Sequence, residues 1–492
     1  MATGAGLLRN VIIARQFGIG SQLDAYIAAF KLPDLLFTIV AGGALATAFI
    51  PVLAEFLAAE DRAGAWRLAS AITNLVVLLV SVLASLAALL APWLVSRLIA
   101  PGFSPVQQAE TVVVMRLVLI STIIFGISAI QSSVLHGFKH FLLPALAPVV
   151  YPLGIAAGAV WLAPHWGVSG LAIGAILGAA LHLAVKVPGL IHYGFRWQPV
   201  LDLNSQAVRR VLVLMGPRIL DLGVFHLTLV ATTNLASRLS EGSVSALEWG
   251  WDAMQIPETI IGTAFGLVAF PTLAALSAAG DLAGLRHTLS QTLRMIIVLA
   301  VPATFGLILL GRPILALVYQ RGAFDASATL AVFTALQFYA LGLTAHACLE
   351  VAARAFFAQQ DTITPLIVAA IFGALNIGLA ALLMGPLGHG GLALANSLAI
   401  TAEVAVLLFI LHRRLAGLET GQILATLGQA VIASGVMGVV IVGVLQAGAE
   451  SMPALVLVGL ASALGFGAYV GAGLLLRMRS LTELRLALLG RG

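Results

Sequence analysis

The feature that most constrains this chain is the recurrence of apolar runs about twenty residues long. A bilayer core of roughly 30 Å is crossed by about 20 apolar residues in a helix, which satisfies every backbone N–H and C=O inside the segment. Such runs fall at 24–56, 68–99, 110–135, 144–163, 168–190, 211–236, 245–275, 288–310, 328–353, 364–384, 390–411, 423–447 and 453–476. The opening stretch 1–17 is apolar but short, and counting it gives fourteen segments. The connections are mostly short, so neighbouring spans should run antiparallel, and none is long enough for a soluble domain. The expected fold class is an all-α polytopic membrane protein. Residues 1–17 carry neither a basic start nor a clear cleavage pattern, which argues against a signal peptide.

Composition agrees. Only 9% of the 492 residues are charged and 61% are hydrophobic, with a mean hydropathy of +1.07. A soluble domain carries about 25% charge, so a soluble enzyme, a disordered regulator and a nucleic-acid binder are all excluded. The single cysteine, Cys348, excludes a disulfide framework and a paired-cysteine metal site. Fifty glycines and 19 prolines suit closely packed spans. The net charge of +5 reflects Lys and Arg retained on the cytoplasmic side. With the N-terminus inside, the inner connections hold fifteen: Arg62, Arg67, Lys139, Arg196, Arg209, Arg210, Arg286, Arg294, Arg354, Arg413, Arg414, Arg477, Arg479, Arg485 and Arg491. The outer ones hold five, namely Arg15, Arg97, Arg238, Arg312 and Arg321. Arg9, Lys31, Arg116, Lys186 and Arg218 lie within or at the ends of spans. The bias predicts an even number of spans with both termini cytoplasmic.

The two halves echo each other. FKLPD at 30–34 matches MQIPE at 254–258, with Arg15 against Arg238, Gly20-Ser21 against Gly242-Ser243 and Asp24 against Glu248 upstream. Downstream, Pro51 pairs with Pro271, Gly102 with Gly322, Pro144 with Pro365, and Gly170-Leu171-Ala172 with Gly391-Leu392-Ala393, at offsets of 220–224. An even number of spans per unit makes these parallel repeats, whose meeting leaves a midplane cleft that rocking exposes to alternate sides. The expected division is an N-lobe of six spans (1–192), a C-lobe of six (193–412), and two extra spans with a basic tail (413–492).

The stretch RNVIIARQFGIGSQLDAYIAAFKLPDLLFTIVAGGALATAFIPVLAEF at 9–56 resembles the N-terminal signature of the MurJ/MviN family. These are lipid II flippases of the multidrug/oligosaccharidyl-lipid/polysaccharide exporter superfamily. APGF at 100–103, MGP at 215–217 and GSVSALEWGWDAMQIPETIIGTAFGLVAFPTLA at 242–274 extend the likeness over essentially the whole chain. The resemblance implies two six-helix lobes, a central cavity open to the cytoplasm, a terminal pair forming a groove for a lipid tail, and export of an undecaprenyl-pyrophosphate-linked peptidoglycan precursor. It also implies a transporter and not an enzyme. Arg9 and Asp24 match family positions. Phe37 and Thr38 stand where the family often has an arginine pair, Gly42 where it has an acid, and Asp252 where it has an arginine. The family's first helix usually begins well before the position of Arg9.

A lipid-linked pyrophosphate needs a wet, partly cationic cavity, and ionisable groups inside spans usually face one. Arg9 is the leading candidate, since a guanidinium engages phosphate bidentately; its alternative fate is snorkelling or pairing with a carboxylate. Lys31 and Asp34 flank Pro33, and Gln255 and Glu258 flank Pro257, so both prolines are candidate hinges beside polar groups, with local Lys31–Asp34 pairing as the alternative. Arg218 and Asp221 share a helix face, as do Glu248 and Asp252. The substrate-binding candidates are therefore Arg9, Asp24, Lys31, Asp34, Arg218, Asp252 and Gln255. Thr232, Thr233, Asn234, Asn376 and Asn396 form a candidate sodium site, against the commoner fate of interhelical hydrogen bonding. His136 and His140 in HGFKH have metal-like spacing but no third ligand nearby, and His346 with Glu350 is either a proton relay or a bonded pair. The tail 477–491 is basic and amphipathic, suited to anionic lipid on the inner leaflet.

The expected function is a flippase that carries lipid II from the inner to the outer leaflet of a bacterial inner membrane by alternating access. The expected coupling is to Na⁺ or H⁺, with no other cofactor and no metal. The expected partners are lipid II, membrane lipids and cell-wall synthesis machinery, with no nucleic acid. The alternatives are a flippase for another polysaccharide-linked lipid, a cation-coupled exporter of the same superfamily, a lipid-modifying enzyme, and a scaffold of a cell-wall assembly complex.

Overall fold

A computed structural model of the chain describes residues 2–41, 43–448, 452–478 and 481, without the side chains at 2–3, 39–41, 43–47, 216–222, 224 and 225. Every regular element among the described residues is helical. Ten stretches among them are long and apolar enough to cross a bilayer, from Arg62–Ile99 to Ala454–Leu475, so this is a multi-pass membrane protein. The basic tail 477–491 lies mostly outside the described residues.

The chain forms two compact units, Met1–Ser245 with Arg321–Phe324, and Ala246–Gln320 with Asp325–Gly492. These contact boundaries differ from the repeat boundaries at 192 and 412. The first unit holds α1 (Ala2–Phe17), α2 (Ser21–Ala41), α3 (Gly43–Ala58), α4 (Arg62–Leu94), α5 (Pro105–Gly137), α6 (Leu142–Ala157), α7 (Ala163–Trp166), α8 (Val168–Ala184), α9 (Val187–His192) and α10 (Gln206–Ala236). α11 (Ser243–Glu258) crosses the boundary, and α12 (Ala264–Ala278), α13 (Leu282–Tyr319), α14 (Ala326–Ala358), α15 (Ile363–Arg414), α16 (Thr420–Gly448) and α17 (Ala454–Leu475) lie in the second unit. The expected run 24–56 is carried by α2 and α3, on either side of Gly42, which is outside the described residues. α15 carries two expected spans, 364–384 and 390–411, and its helical backbone is interrupted at Gly388, with φ 57° and ψ −138°.

Local chemistry sets the same boundaries twice. Asp61 caps α4 by accepting the Gly64 N–H at 2.8 Å, and Asp281, 220 positions later, caps α13 by accepting the Gly284 N–H at 2.8 Å. An acidic cap satisfies an orphan N–H and meets the positive end of the helix dipole. Lys139 and Gln360, 221 positions apart, both hold φ 59°. Gly167, with φ 55° and ψ −140°, recurs as Gly388 at the same spacing. The repeat is thus written in turn geometry within each unit.

Lipid tails are as apolar as leucine, so helices in a bilayer associate through close packing. In the first unit α6 and α8 meet along Gly154, Gly158, Gly170, Gly174 and Gly178. A Cβ on Gly154 would collide with the Gly178 backbone, and one on Gly174 would fall 2.9 Å from Gly158 Cα. In the second unit α16 and α17 pack on each other and on α13. The Tyr469 hydroxyl donates to Val298 O at 2.6 Å, and Arg294 Nη1 donates to Gln422 Oε1 at 2.5 Å.

Candidate functional site

In the first unit α1 carries Arg9 into a polar patch that an otherwise apolar helix does not announce. The half-buried guanidinium donates from Nε and Nη2 to Asn10 Oδ1 at 3.0 and 2.8 Å. This fork fixes the plane of the group against a neutral acceptor, which leaves the charge in place. Tyr26 on α2 and Tyr151 on α6 both lie within electrostatic reach of Arg9 and Asp34. Asp34 is exposed and Lys31 is buried, with His226 of α10 within electrostatic reach of Lys31. The structure therefore brings Arg9 and Asp34 around two tyrosines. Of the sequence candidates, the Arg218 side chain and that of Asp221 lie outside the described residues.

Asp24 is a capping group and not a cavity-lining one. Its side chain is 1% exposed and accepts the Gly242 N–H, the Ser245 N–H and the Ser245 hydroxyl, each at 2.7 Å. Those bonds saturate a carboxylate that would otherwise be too costly to bury. The cap belongs to a wider clasp. The Ala323 N–H donates to Arg15 O at 2.9 Å, the Gly102 N–H donates to Ser237 Oγ at 3.1 Å, and Asn234 Nδ2 donates to Leu98 O at 2.7 Å. The two loops named as repeat partners act reciprocally. A Cβ on Gly102 would strike the Ser237 carbonyl beside Arg238, and one on Gly322 would strike the Arg15 carbonyl. Arg238 closes the set through Asn234 Oδ1 at 3.0 Å.

Pro33 is buried within α2. Pro257 lies just before a widened π-turn at Thr259–Thr263. Proline removes one helical N–H, and a π-turn marks a locally loosened helix. Gln255 is exposed and Asp252 half-buried on the same helix. The candidate sodium ligands are divided between the units, with Thr232, Thr233 and Asn234 in the first and Asn376 and Asn396 in the second. Thr232 and Thr233 donate back to Thr228 O and Leu229 O at 2.9 and 3.0 Å, and Asn396 Oδ1 meets His346 Nε2 at 3.1 Å. His346 and Glu350 do not pair with one another. Glu350 instead takes Arg354, one helical turn on.

A family model described as lipid II flippase MurJ matches residues 13–461. The chain belongs to that family. It is 32% identical over 418 residues to the lipid II flippase MurJ of Burkholderia cenocepacia, covering 83% of this chain and 81% of the relative. A probable lipid II flippase MurJ of Rhizobium meliloti is 31% identical over 408 residues, covering 80% of this chain and 75% of the relative. Among solved structures, a lipid II flippase MurJ in an inward closed conformation shares the fold at a TM-score of 0.81, with 24% identity and 97% of each chain covered. An inward-facing multidrug resistance MATE family transporter of the MOP superfamily has a TM-score of 0.70 at 14% identity, covering 85% of this chain and 95% of that one.

MurJ is a family of transporters and not of enzymes, so its polar residues bind and position. Sequence reasoning singled out Arg9 but not its neighbours Asn10, Tyr26 and Tyr151. Asn10 had a signal, as a second polar residue beside an intramembrane arginine. The tyrosines had none, because each reads as one more aromatic in an apolar run, Tyr26 with Phe30 and Tyr151 with Trp161.

Proposed function

We propose that this chain carries lipid II from the inner to the outer leaflet of the bacterial inner membrane. The match to the MurJ family model over residues 13–461 carries the reading. Arg9 takes the pyrophosphate. Two of its five N–H donors are spent on Asn10, and the remainder suit phosphate oxygens. Tyr26 and Tyr151 add neutral hydroxyls, and Lys31 adds a second cation.

The finer arrangement is fourteen spans in two six-helix lobes and a terminal pair, with both termini cytoplasmic. The recurrence of the Asp61 cap at Asp281 and of the Gly167 turn at Gly388 supports the duplication. The Lys and Arg bias supports the orientation. The clasp through Arg15, Gly102, Ser237 and Ala323 ties these loops together within the first unit, and the head group enters from inside. Sodium or proton coupling supplies the drive, and the lobes rock to release the head group outside while the tail stays in lipid.

Complementation tests this directly. In cells depleted of their own lipid II flippase, the wild-type gene should restore growth. Arg9→Ala should fail although the protein reaches the membrane, and full rescue by that variant would remove Arg9 from the binding role.

A further inference from the structure

Lys186 lies at the turn between α8 and α9 and is fully buried, at 0% exposure. Among the described residues, its ammonium makes hydrogen bonds only with neutral groups. Nζ donates to Ser128 O at 2.5 Å and to Ser132 Oγ at 2.9 Å, and lies 3.5 Å from His182 Nδ1. The same Nδ1 is 2.7 Å from Ser128 Oγ, and the His182 ring stacks edge-on against Phe125 at 5.0 Å between centroids. α6, α8 and α9 carry no acid, and α5 carries only Glu110, eighteen positions before Ser128 and so roughly 27 Å along the helix. A charge buried among neutral groups is costly in a membrane protein, and such residues mark ion or proton pathways. An aliphatic side chain would fill this position without that cost.

We propose that Lys186, His182 and Ser128 form a one-proton site within the first unit, and that occupancy of this site is coupled to the transport cycle. The second half of that statement rests on the flippase reading; the first half does not. In one state the proton is on Lys186, and the bare Nδ1 of His182 accepts from the Ser128 hydroxyl. In the other the Nζ–H bond has broken and an Nδ1–H bond has formed, leaving a neutral amine and a charged imidazolium. The total charge is the same in both. The hydroxyl serves either state, because it donates to the bare nitrogen and accepts from the protonated one. The third state, with both groups neutral, has released the proton to water. The other titratable and charged groups on α5, α8 and α9 and on the elements packed against them are Glu110, Arg116 and His136 on α5, of which His136 lies within electrostatic reach of Lys186, Glu55 on α3, Arg62 and Arg67 on α4 with Arg97 in the turn after it, Tyr151 on α6, His165 on α7, His192 on α9, and Asp24, Tyr26, Lys31 and Asp34 on α2. His136 lies in the last turn of α5.

The purified full chain in nanodiscs tests the proton site. Its thermal midpoint is followed from about pH 5.5 to about pH 9, the range spanned by histidine and perturbed amines. The wild type should show a pH-dependent step that Lys186→Met lacks, and nitrogen NMR of His182 should change with pH only in the wild type. If Lys186→Met does not fold, His182→Gln should lose the step while His165→Gln, outside the site, keeps it. A step that persists unchanged in Lys186→Met or His182→Gln overturns the site. Coupling is read in phosphatidylethanolamine–phosphatidylglycerol vesicles carrying labelled lipid II. Reversing the imposed pH gradient should change the initial flipping rate several-fold in the wild type and not in Lys186→Met. An equal response in both overturns the coupling. Absence of flipping by the wild type at any pH, with the stability step intact, overturns the coupled half and the flippase reading together while the proton site stands.

Discussion

Ser245 donates both its backbone N–H and its hydroxyl, each at 2.7 Å, to the same oxygen of the Asp24 carboxylate. The other oxygen takes the Gly242 N–H. Truncating Asp24 leaves the Gly242 and Ser245 N–H groups without an acceptor, each at a cost of about 1–3 kcal/mol, while the Ser245 hydroxyl keeps the Gly242 carbonyl at 3.2 Å. Asp24→Ala should therefore lose roughly 3 kcal/mol or more, Asp24→Asn less, and Ser245→Ala about 1 kcal/mol, because it removes one bond of three. Thermal melts of the three variants in detergent give the ranking. A wild-type melt for Asp24→Ala would mean that the clasp contributes nothing to stability.

Glycine positions offer a second ranking. Gly388 holds φ 57°, yet a Cβ there would meet nothing within 4 Å. Gly388→Ala should therefore cost only the backbone strain of a mirror-image extended conformation that glycine alone adopts freely, about 1–3 kcal/mol. Gly391, three residues on, faces the Leu383 carbonyl so closely that a Cβ would force the backbone apart. Gly391→Ala should cost more than Gly388→Ala although alanine is the better helix former. Folded yield by size-exclusion chromatography after mild heating separates the two, and the reverse order would contradict the packing.

These contrasts show what was legible in the residues and what was not. A span is a local property of about twenty neighbours, so Thr420–Gly448 and Ala454–Leu475 fall where the runs 423–447 and 453–476 place them. The break inside α15 was equally local, since the spans 364–384 and 390–411 leave Gly385, Pro386 and Gly388 between them. The role of Asp24 was not local. Its partners lie 218 and 221 positions away, and an acid near the start of a span reads equally as a ligand or a cap. Lys186 was visible as a charge at the end of a span, but its acceptors Ser128 and Ser132 are 54–58 residues back on another helix. Pairing across helices depends on rotation about each axis, which apolar periodicity leaves open when a helix is hydrophobic on every side.

Tyr469 tests how the terminal pair is held. It is 2% exposed, and its hydroxyl donates to Val298 O of α13 at 2.6 Å. Tyr469→Phe keeps the ring and should cost about 0.5–1.5 kcal/mol. Tyr469→Ala opens a cavity among Val298, Met437 and their neighbours and should cost about 3–5 kcal/mol. Limited proteolysis should then cut preferentially at 415–419, the connection before α16, in the alanine variant. Equal protection of both variants would show that α17 is held by its other contacts.

The connection before α15 carries a pH-dependent contact outside the membrane spans. Asp361 accepts the Thr364 hydroxyl at 2.6 Å, the Thr364 N–H at 2.9 Å and Arg414 Nη1 at 2.6 Å. Burial alone would raise the carboxyl, but the bonds from Thr364 and Arg414 outweigh it and hold the group at about 2, below the usual 3.8. A carboxyl depressed on folding favours the folded chain wherever it is ionised. Its contribution is full above pH 3.8 and is lost as pH falls towards about 2. The pair is partly open to solvent, so the contribution is roughly 1 kcal/mol, a good deal less than the shift alone implies. Asp361→Asn and Arg414→Gln should each lower the melting temperature by only about a degree at neutral pH, since the roughly 2–4 °C per kcal/mol of a chain of about 150–250 residues shrinks for a longer one. The gap between Asp361→Asn and the wild type should close as the buffer is taken below about pH 3, into the window between the two values. A gap that stays constant over that range would show that Asp361 acts through its shape and not its charge.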